Sequence, residues 1–191
     1  MKQVNVAVYG GSFCPVHYGH VFCVDYLSTL GKFDKVLIIP VAKHAHGKIL
    51  TEHYHRYEMC TLAMGHIQNA QVSDIEKILL DLQDHPDVNY TYHTLKKIKD
   101  LHPHWNLHFI VGADVGGQIS DWYLGKELLT IASPYVVGRH GYEHNGMAVL
   151  PEISSTEIRG SFKKDPEHKI AKEYLPKPVY DYIIEHKLYV E

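Results

Sequence analysis

The densest run of reactive side chains lies early in the chain, in Gly10-Gly11-Ser12-Phe13-Cys14-Pro15-Val16-His17-Tyr18-Gly19-His20. Two glycines let backbone N–H groups approach a phosphate closely, and a helix starting just beyond them favours negative charge at its N-terminus. His17 and His20 are three residues apart, so on a helix their imidazoles share one face and both can donate to phosphoryl oxygens. Neither a Walker A nor a GxGxxG pattern is present. On chemistry alone the segment also reads as a tight turn carrying two surface histidines, since a glycine turn after a strand is commonplace. Far along the chain, Ser154-Ser155-Thr156 can cap a helix beginning near Glu157, and a capped helix N-terminus is itself an anion site. Arg159 follows with a planar fork that binds two phosphate oxygens at once; taken alone it reads as a surface arginine.

Such groups converge only on a scaffold that gathers strand ends and helix starts. Val4 to Tyr9 predicts a strand running into the glycines, and Tyr18 to Leu30 has helical spacing closed by Gly31. Lys35 to Pro40 contains Val-Leu-Ile-Ile without alternation, as in a strand covered on both faces. A basic, histidine-rich loop spans Val41 to Ile49, Thr51 stands as the cap of a helix running to about Gln68, and Gln71 to Ile75 reads as a short strand. Asp81 to Asn89 reads as a loop around Pro86, followed by a helix from Thr91 to Leu101 that His102-Pro103 ends. Leu107 to Val111 is an apolar strand leading into Gly112-Ala113-Asp114. After the aromatic turn Trp122-Tyr123 come a short helix to Ala132, a strand from Tyr135 to Val137, a polar loop from Arg139 to Gly146 and a last short strand from Ala148 to Leu150. Asp165-Pro166 breaks the chain, and Pro178 to His186 forms a final amphipathic helix. Strands separated by helices predict an α/β fold with a mostly parallel sheet and right-handed crossovers.

A length of 191 residues predicts one domain, spanning 1–191, with a helical C-terminal part from about residue 154. With 45% apolar and 21% charged residues and a formal net charge of −3, the composition is that of a soluble globule, with no polybasic footprint for nucleic acid. Cys14, Cys23 and Cys60 lie in the first third of the chain, so no disulfide framework spans it. No window approaches ~20 apolar residues and the N-terminus lacks a secretory apolar run, so a cytoplasmic protein that neither crosses nor binds a membrane is expected. Sixteen histidines are scattered through the chain. The pairs His44/His46, His53/His55 and His102/His104 are poor chelates: i and i+2 diverge on a helix, and no Cys or carboxylate cluster accompanies those in loops.

The eleven residues from Gly10 to His20 resemble the GGSFDPxHxGH signature of nucleotidyltransferases with an HxGH motif, and specifically of the nicotinate/nicotinamide mononucleotide adenylyltransferases. Ile153-Ser154-Ser155-Thr156-Glu157-Ile158-Arg159 is similar to that family's second signature, ISSTxIR. Phe109 to Asp114 and Asp121-Trp122-Tyr123 resemble its FIxGAD and WY elements in the same order, and Tyr90-Thr91 through Thr94-Leu95 and the ending Tyr182 to Tyr189 also fit. The resemblance covers residues 4 to 189. It implies a Rossmann-like open parallel sheet flanked by helices, and transfer of AMP from ATP to nicotinate or nicotinamide mononucleotide with release of pyrophosphate, a step of NAD biosynthesis.

The mononucleotide phosphate then attacks the α-phosphorus of ATP in line, so the protein positions two anions and neutralises the charge between them. The implied catalytic set is His17, His20 and Arg159, with His20 nearest the α-phosphoryl group and Ser155 and Arg159 on the β- and γ-phosphates. Gly10, Gly11, Ser12, Phe13, Gly112, Asp114, Ser154 and Thr156 complete the implied ATP side. On the mononucleotide side Trp122 is the implied stacking platform, Thr91 and Tyr92 read the pyridine substituent, and Lys48, Arg56, Tyr123 and Arg139 are further contacts. Mg²⁺ is expected on the triphosphate oxygens and waters, with no protein ligands. The implied partners are the two nucleotides, and a homo-oligomer is compatible with the sequence. Two departures stand out: Cys14 replaces the motif's aspartate, and the loop Lys43-His44-Ala45-His46-Gly47-Lys48 lacks the family's double proline, with its lysine displaced to Lys48. The rival readings are the same transfer onto phosphopantetheine or flavin mononucleotide, which Trp122-Tyr123 argues against, and a nucleotide-binding sensor without turnover, which Cys14 motivates.

Overall fold

Six strands form one parallel sheet in the computed structural model, which describes residues 2–43, 47–82, 90–114, 116–139 and 149–190. They are β1 (Val4–Gly11), β2 (Lys35–Pro40), β3 (Ala70–Val72), β4 (Trp105–Gly112), β5 (Ala132–Arg139) and β6 (Val149–Leu150), in the spatial order 3-2-1-4-5-6. The helices are α1 (Tyr18–Thr29), α2 (His53–Met64), α3 (Ile75–Asp81), α4 (Thr91–Leu101), α5 (Gly125–Ile131), α6 (Ser155–Lys164), α7 (Lys169–Tyr174) and α8 (Lys177–Glu185), with a 3-10 turn at Gly116–Asp121.

Strand side chains alternate between two apolar layers. Ala7, Val36, Ile38 and Ile110 join the layer built with α1, α2, α6 and α8, whereas Val6, Val8, Leu37, Ile39, Leu107, Phe109 and Val111 join the layer built with α4 and α5. Burying each of the Val, Leu, Ile and Phe side chains among them stabilises the fold by about 1.5–3 kcal/mol. That double covering is the reason β2 reads as an unbroken apolar run rather than an alternating one. Among the described residues, no helix is long and apolar enough to cross a membrane.

Several boundaries differ from the patterning. β1 continues through both glycines because Gly10 and Gly11 stay paired with Ile39 and Pro40 of β2. β5 is longer than Tyr135 to Val137 because β4 pairs along it from Ala132. The cap of α2 is Glu52 rather than Thr51, whose side chain is engaged elsewhere; the helix stops at Met64, short of Gln68, with Gly65 as its C-cap. A Cβ on Gly65 would lie 2.6 Å from the Thr61 carbonyl oxygen, so a side chain there has no room. Where the strand from Gln71 is expected to run on to Ile75, β3 stops at Val72, the Ser73 hydroxyl accepts the Ile75 N–H at 3.3 Å and α3 begins. The helix α7 also has no counterpart in the patterning: the Asp165 carboxylate accepts the N–H groups of Glu167 and Lys169 at 3.0 and 2.8 Å and starts it. These bonds hold the Asp165 carboxyl below the usual range. His44 to His46, most of the loop around Pro86 and the loop after Arg139 lie outside the described residues.

Candidate active site

The strand order reverses between β1 and β4, and in an open α/β sheet the crevice at the carboxyl ends of such strands is where ligands bind. Two hollows of about 480 and 660 Å³ meet there and share Gly10, Gly11, Ile110, Val111 and Trp122. They form two lobes of one cleft, bordered by the same indole.

The larger lobe gathers His17, His20, Lys48, Gly112, Asp114 and Ser154 to Thr156. His17 caps α1 in an extended conformation, and its ring stacks on that of His20 with centroids 3.7 Å apart. His20 Nδ1 accepts the His17 backbone N–H at 3.2 Å, which in the neutral ring puts the proton on Nε2 as a donor. Gly19 makes this approach possible: a Cβ there would lie 3.1 Å from the His17 ring and 3.4 Å from the Pro151 carbonyl oxygen. Phe13 has a left-handed φ of 43° and is 1% exposed, its ring turned beneath Gly11 and edge-on to His20 at 4.9 Å. Its side chain is therefore core, and only its backbone is left for the ATP contact read from the motif. Lys48, read as a mononucleotide contact, stands beside the histidines instead.

The turn between β1 and α1 is held by its carbonyls. Arg56 Nη1 donates to the Ser12 carbonyl at 3.0 Å and its Nε to that of Thr51 at 2.7 Å. Arg159 Nη1 donates to the Cys14 carbonyl at 2.6 Å, and the Ser155 hydroxyl to that of Pro15 at 3.1 Å. The Cys14 thiol donates to Thr51 Oγ1 at 3.6 Å and accepts the Tyr189 hydroxyl at 3.7 Å. Arg56 is 1% exposed and lines neither lobe, so the phosphate contact read for it gives way to bracing of the turn. Burial lowers its pKa from the ordinary arginine value. Arg159 reaches the larger lobe through Thr156, whose hydroxyl accepts its Nη2 at 3.2 Å.

The smaller lobe is walled by Ser12, Lys43, Glu76, Tyr90, Thr91, Thr94, Trp122 and Tyr123. Ser12, read with the ATP side, faces this lobe. Trp122 leans on Phe109 with ring centroids 6.2 Å apart, and half-exposed Tyr123 stacks on Tyr90 at 4.4 Å. Tyr92 does not line the lobe; its ring packs on the apolar layer beneath α4, which leaves its backbone for any ligand contact. Arg139 ends β5, and its side chain lies outside what is described. Sequence reasoning missed Glu76. Its carboxylate is 5% exposed and accepts the Ala42 N–H and the Thr94 hydroxyl, each at 3.0 Å. Burial pushes its pKa up to about 7 against the pull of those two bonds and of Arg56. The available signal was its i, i+3 spacing to Leu79, which places a carboxylate on the buried side of α3.

A family model described as cytidylyltransferase-like matches residues 8–161. A Thermus thermophilus protein named "probable nicotinate-nucleotide adenylyltransferase" is 33% identical, over 97% of this chain and 100% of its own. The chain belongs to the nicotinate-nucleotide adenylyltransferase family. A Carboxydothermus hydrogenoformans relative of the same name is also 33% identical, over 99% of this chain and all of its own. The solved structure of Plasmodium falciparum nicotinic acid mononucleotide adenylyltransferase complexed with NaAD matches with a TM-score of 0.80 at 25% identity, covering 98% of each chain. The nicotinate-nucleotide adenylyltransferase fold, a parallel sheet flanked by helices, is thus the fold of this chain, as the motifs implied. Among the described residues, this adenylyltransferase gathers no three His, Cys, Asp or Glu side chains into a metal site. The donors on its larger lobe are imidazoles, an ammonium and hydroxyls, a set that suits phosphate oxygens.

Proposed function

We propose that the chain transfers AMP from ATP to nicotinate or nicotinamide mononucleotide, releasing pyrophosphate. The observation that carries this reading is the cleft itself: a lobe of phosphate donors and a lobe walled by aromatic rings and hydroxyls meet at Gly10-Gly11 and share Trp122. ATP takes the larger lobe, with His17, His20, Lys48 and the start of α6 toward its phosphates. The pyridine ring takes the smaller lobe against Trp122, with Thr91 at the start of α4 facing its substituent. The acceptor phosphate then meets the α-phosphorus where the lobes join, and the fixed imidazoles stabilise the charge that builds there. Mg²⁺ enters as part of the substrate, MgATP, neutralising triphosphate charge through phosphate oxygens and waters. His20, with its donor edge set by the bond to the His17 backbone, serves the α-phosphoryl group, and Arg159 holds the turn while reaching the triphosphate side through Thr156.

Cys14 does not favour a sensor without turnover. Its thiol faces Thr51 and Tyr189 and lines neither lobe, so the departure from the motif leaves the phosphate donors in place. The test is pyrophosphate release from MgATP with four acceptors: the two pyridine mononucleotides, phosphopantetheine and flavin mononucleotide. Release with a pyridine mononucleotide alone is expected. Release with either of the other two alone reassigns the acceptor, and binding of ATP without release under any condition returns the sensor.

A further inference from the structure

We propose that Glu76 sets how the smaller lobe weighs an anionic against a neutral pyridine substituent, an inference that rests on that lobe being the mononucleotide site. The two acceptors differ only in a carboxylate against a carboxamide. Glu76 stands in the wall of the lobe, held from two sides: its Oε2 takes the Ala42 N–H from the loop after β2, and its Oε1 takes the Thr94 hydroxyl from α4, each at 3.0 Å. With both oxygens engaged and 5% of the residue exposed, the group cannot swing away from a ligand or gather much water. A fixed carboxylate in such an enclosure opposes a second carboxylate and leaves a neutral amide nearly untouched.

The charged and titratable groups around it come from every neighbouring element. Arg56 and His53 belong to α2, Asp74 and Lys77 flank Glu76 in and beside α3, Lys43 shares the lobe from the loop after β2, His93 adjoins Thr94 on α4, and Asp121 lies on the exposed rim. Burial outweighs the pull of Arg56 and raises Glu76 to about 7, so its charge changes close to neutral pH. Below that point Glu76 is neutral and the acid substrate is accepted; above it Glu76 adds a negative charge to the wall and the amide gains. The pyridine carboxylate stays ionised throughout this range.

The experiment measures kcat/KM for both mononucleotides at saturating MgATP from pH 6 to 8, in the parent and in Glu76→Gln. Taking the nicotinate-to-nicotinamide ratio cancels every ionisation the two reactions share, including those of the histidines and of the substrate phosphates near pH ~6. In the parent the ratio is expected to fall about fivefold across the range, the effect of one carboxylate charge at cavity distances in a partly screened site. In Glu76→Gln it stays flat, at the parent's low-pH level. A flat ratio in the parent, or an equal slope in the variant, overturns the inference. The parent series alone decides the matter if the variant folds poorly. Absence of turnover with both mononucleotides overturns the proposed function together with this inference, whereas turnover with a flat ratio overturns only the latter.

Discussion

Arg56 shows how a charge can serve a phosphate site without touching it. It is buried under the turn and gives one donor each to Ser12 and Thr51, so removing it strands two carbonyls in a dry place. Arg56→Ala is expected to cost about 3 kcal/mol of unfolding free energy in urea, the usual loss when one partner of a buried charged contact is removed. Unchanged stability with a raised KM for either nucleotide would return Arg56 to the role of a phosphate contact. His17 and His20 were legible as a pair from their i, i+3 spacing at the helix start, although His17 is the extended cap of α1 rather than part of its face, and the rings meet through their stacking and the capping bond. The bracing role of Arg56 and the burial of Glu76 were not, because each is tied to a partner far away in the chain, 44 positions for Arg56 to Ser12 and 34 for Glu76 to Ala42. Whether a charged residue is solvated or interior depends on such distant partners, and residue type does not carry that information.

Among the elements, the legible ones have local causes. The bounds of α4 follow from Thr91 to Leu101 because His102-Pro103 ends that helix, and α6 starts where Ser154 accepts the Glu157 N–H at 3.4 Å. The short helices α3 and α7 escaped because one or two turns carry little periodicity, and each is started by a side chain outside it, Ser73 and Asp165. In the first turn of α1 a single methyl group would reach the site. Gly19→Ala would ordinarily favour a helix by up to ~1 kcal/mol, yet its new methyl group meets the His17 ring. The expected outcome is a fall in kcat of about tenfold or more with the melting temperature unchanged or raised; full activity would show that the stacked histidine pair is dispensable.

At the scale of the molecule, an open parallel sheet flanked by helices was implied by the family resemblance and by strands alternating with helices, and the covering of both sheet faces by apolar side chains follows from it; the strand order 3-2-1-4-5-6 was not read from the sequence. What patterning alone did not reveal is that the cleft has two lobes with one indole between them, since a cavity is a property of packed layers rather than of any segment. Trp122→Ala tests that arrangement. Loss of a stacking platform, worth ~1–3 kcal/mol, is expected to raise the KM of the mononucleotide about tenfold or more and that of ATP much less. Equal rises for both would place the indole as a partition rather than a platform.

The Tyr189 hydroxyl meets the Cys14 thiol across 175 positions of chain. During synthesis the whole sheet leaves the ribosome before that tyrosine does. The reactive turn thus receives this support only after every strand has been made, and a polypeptide that stops short of Tyr189 holds the whole sheet while still lacking one of the ties on which its chemistry leans.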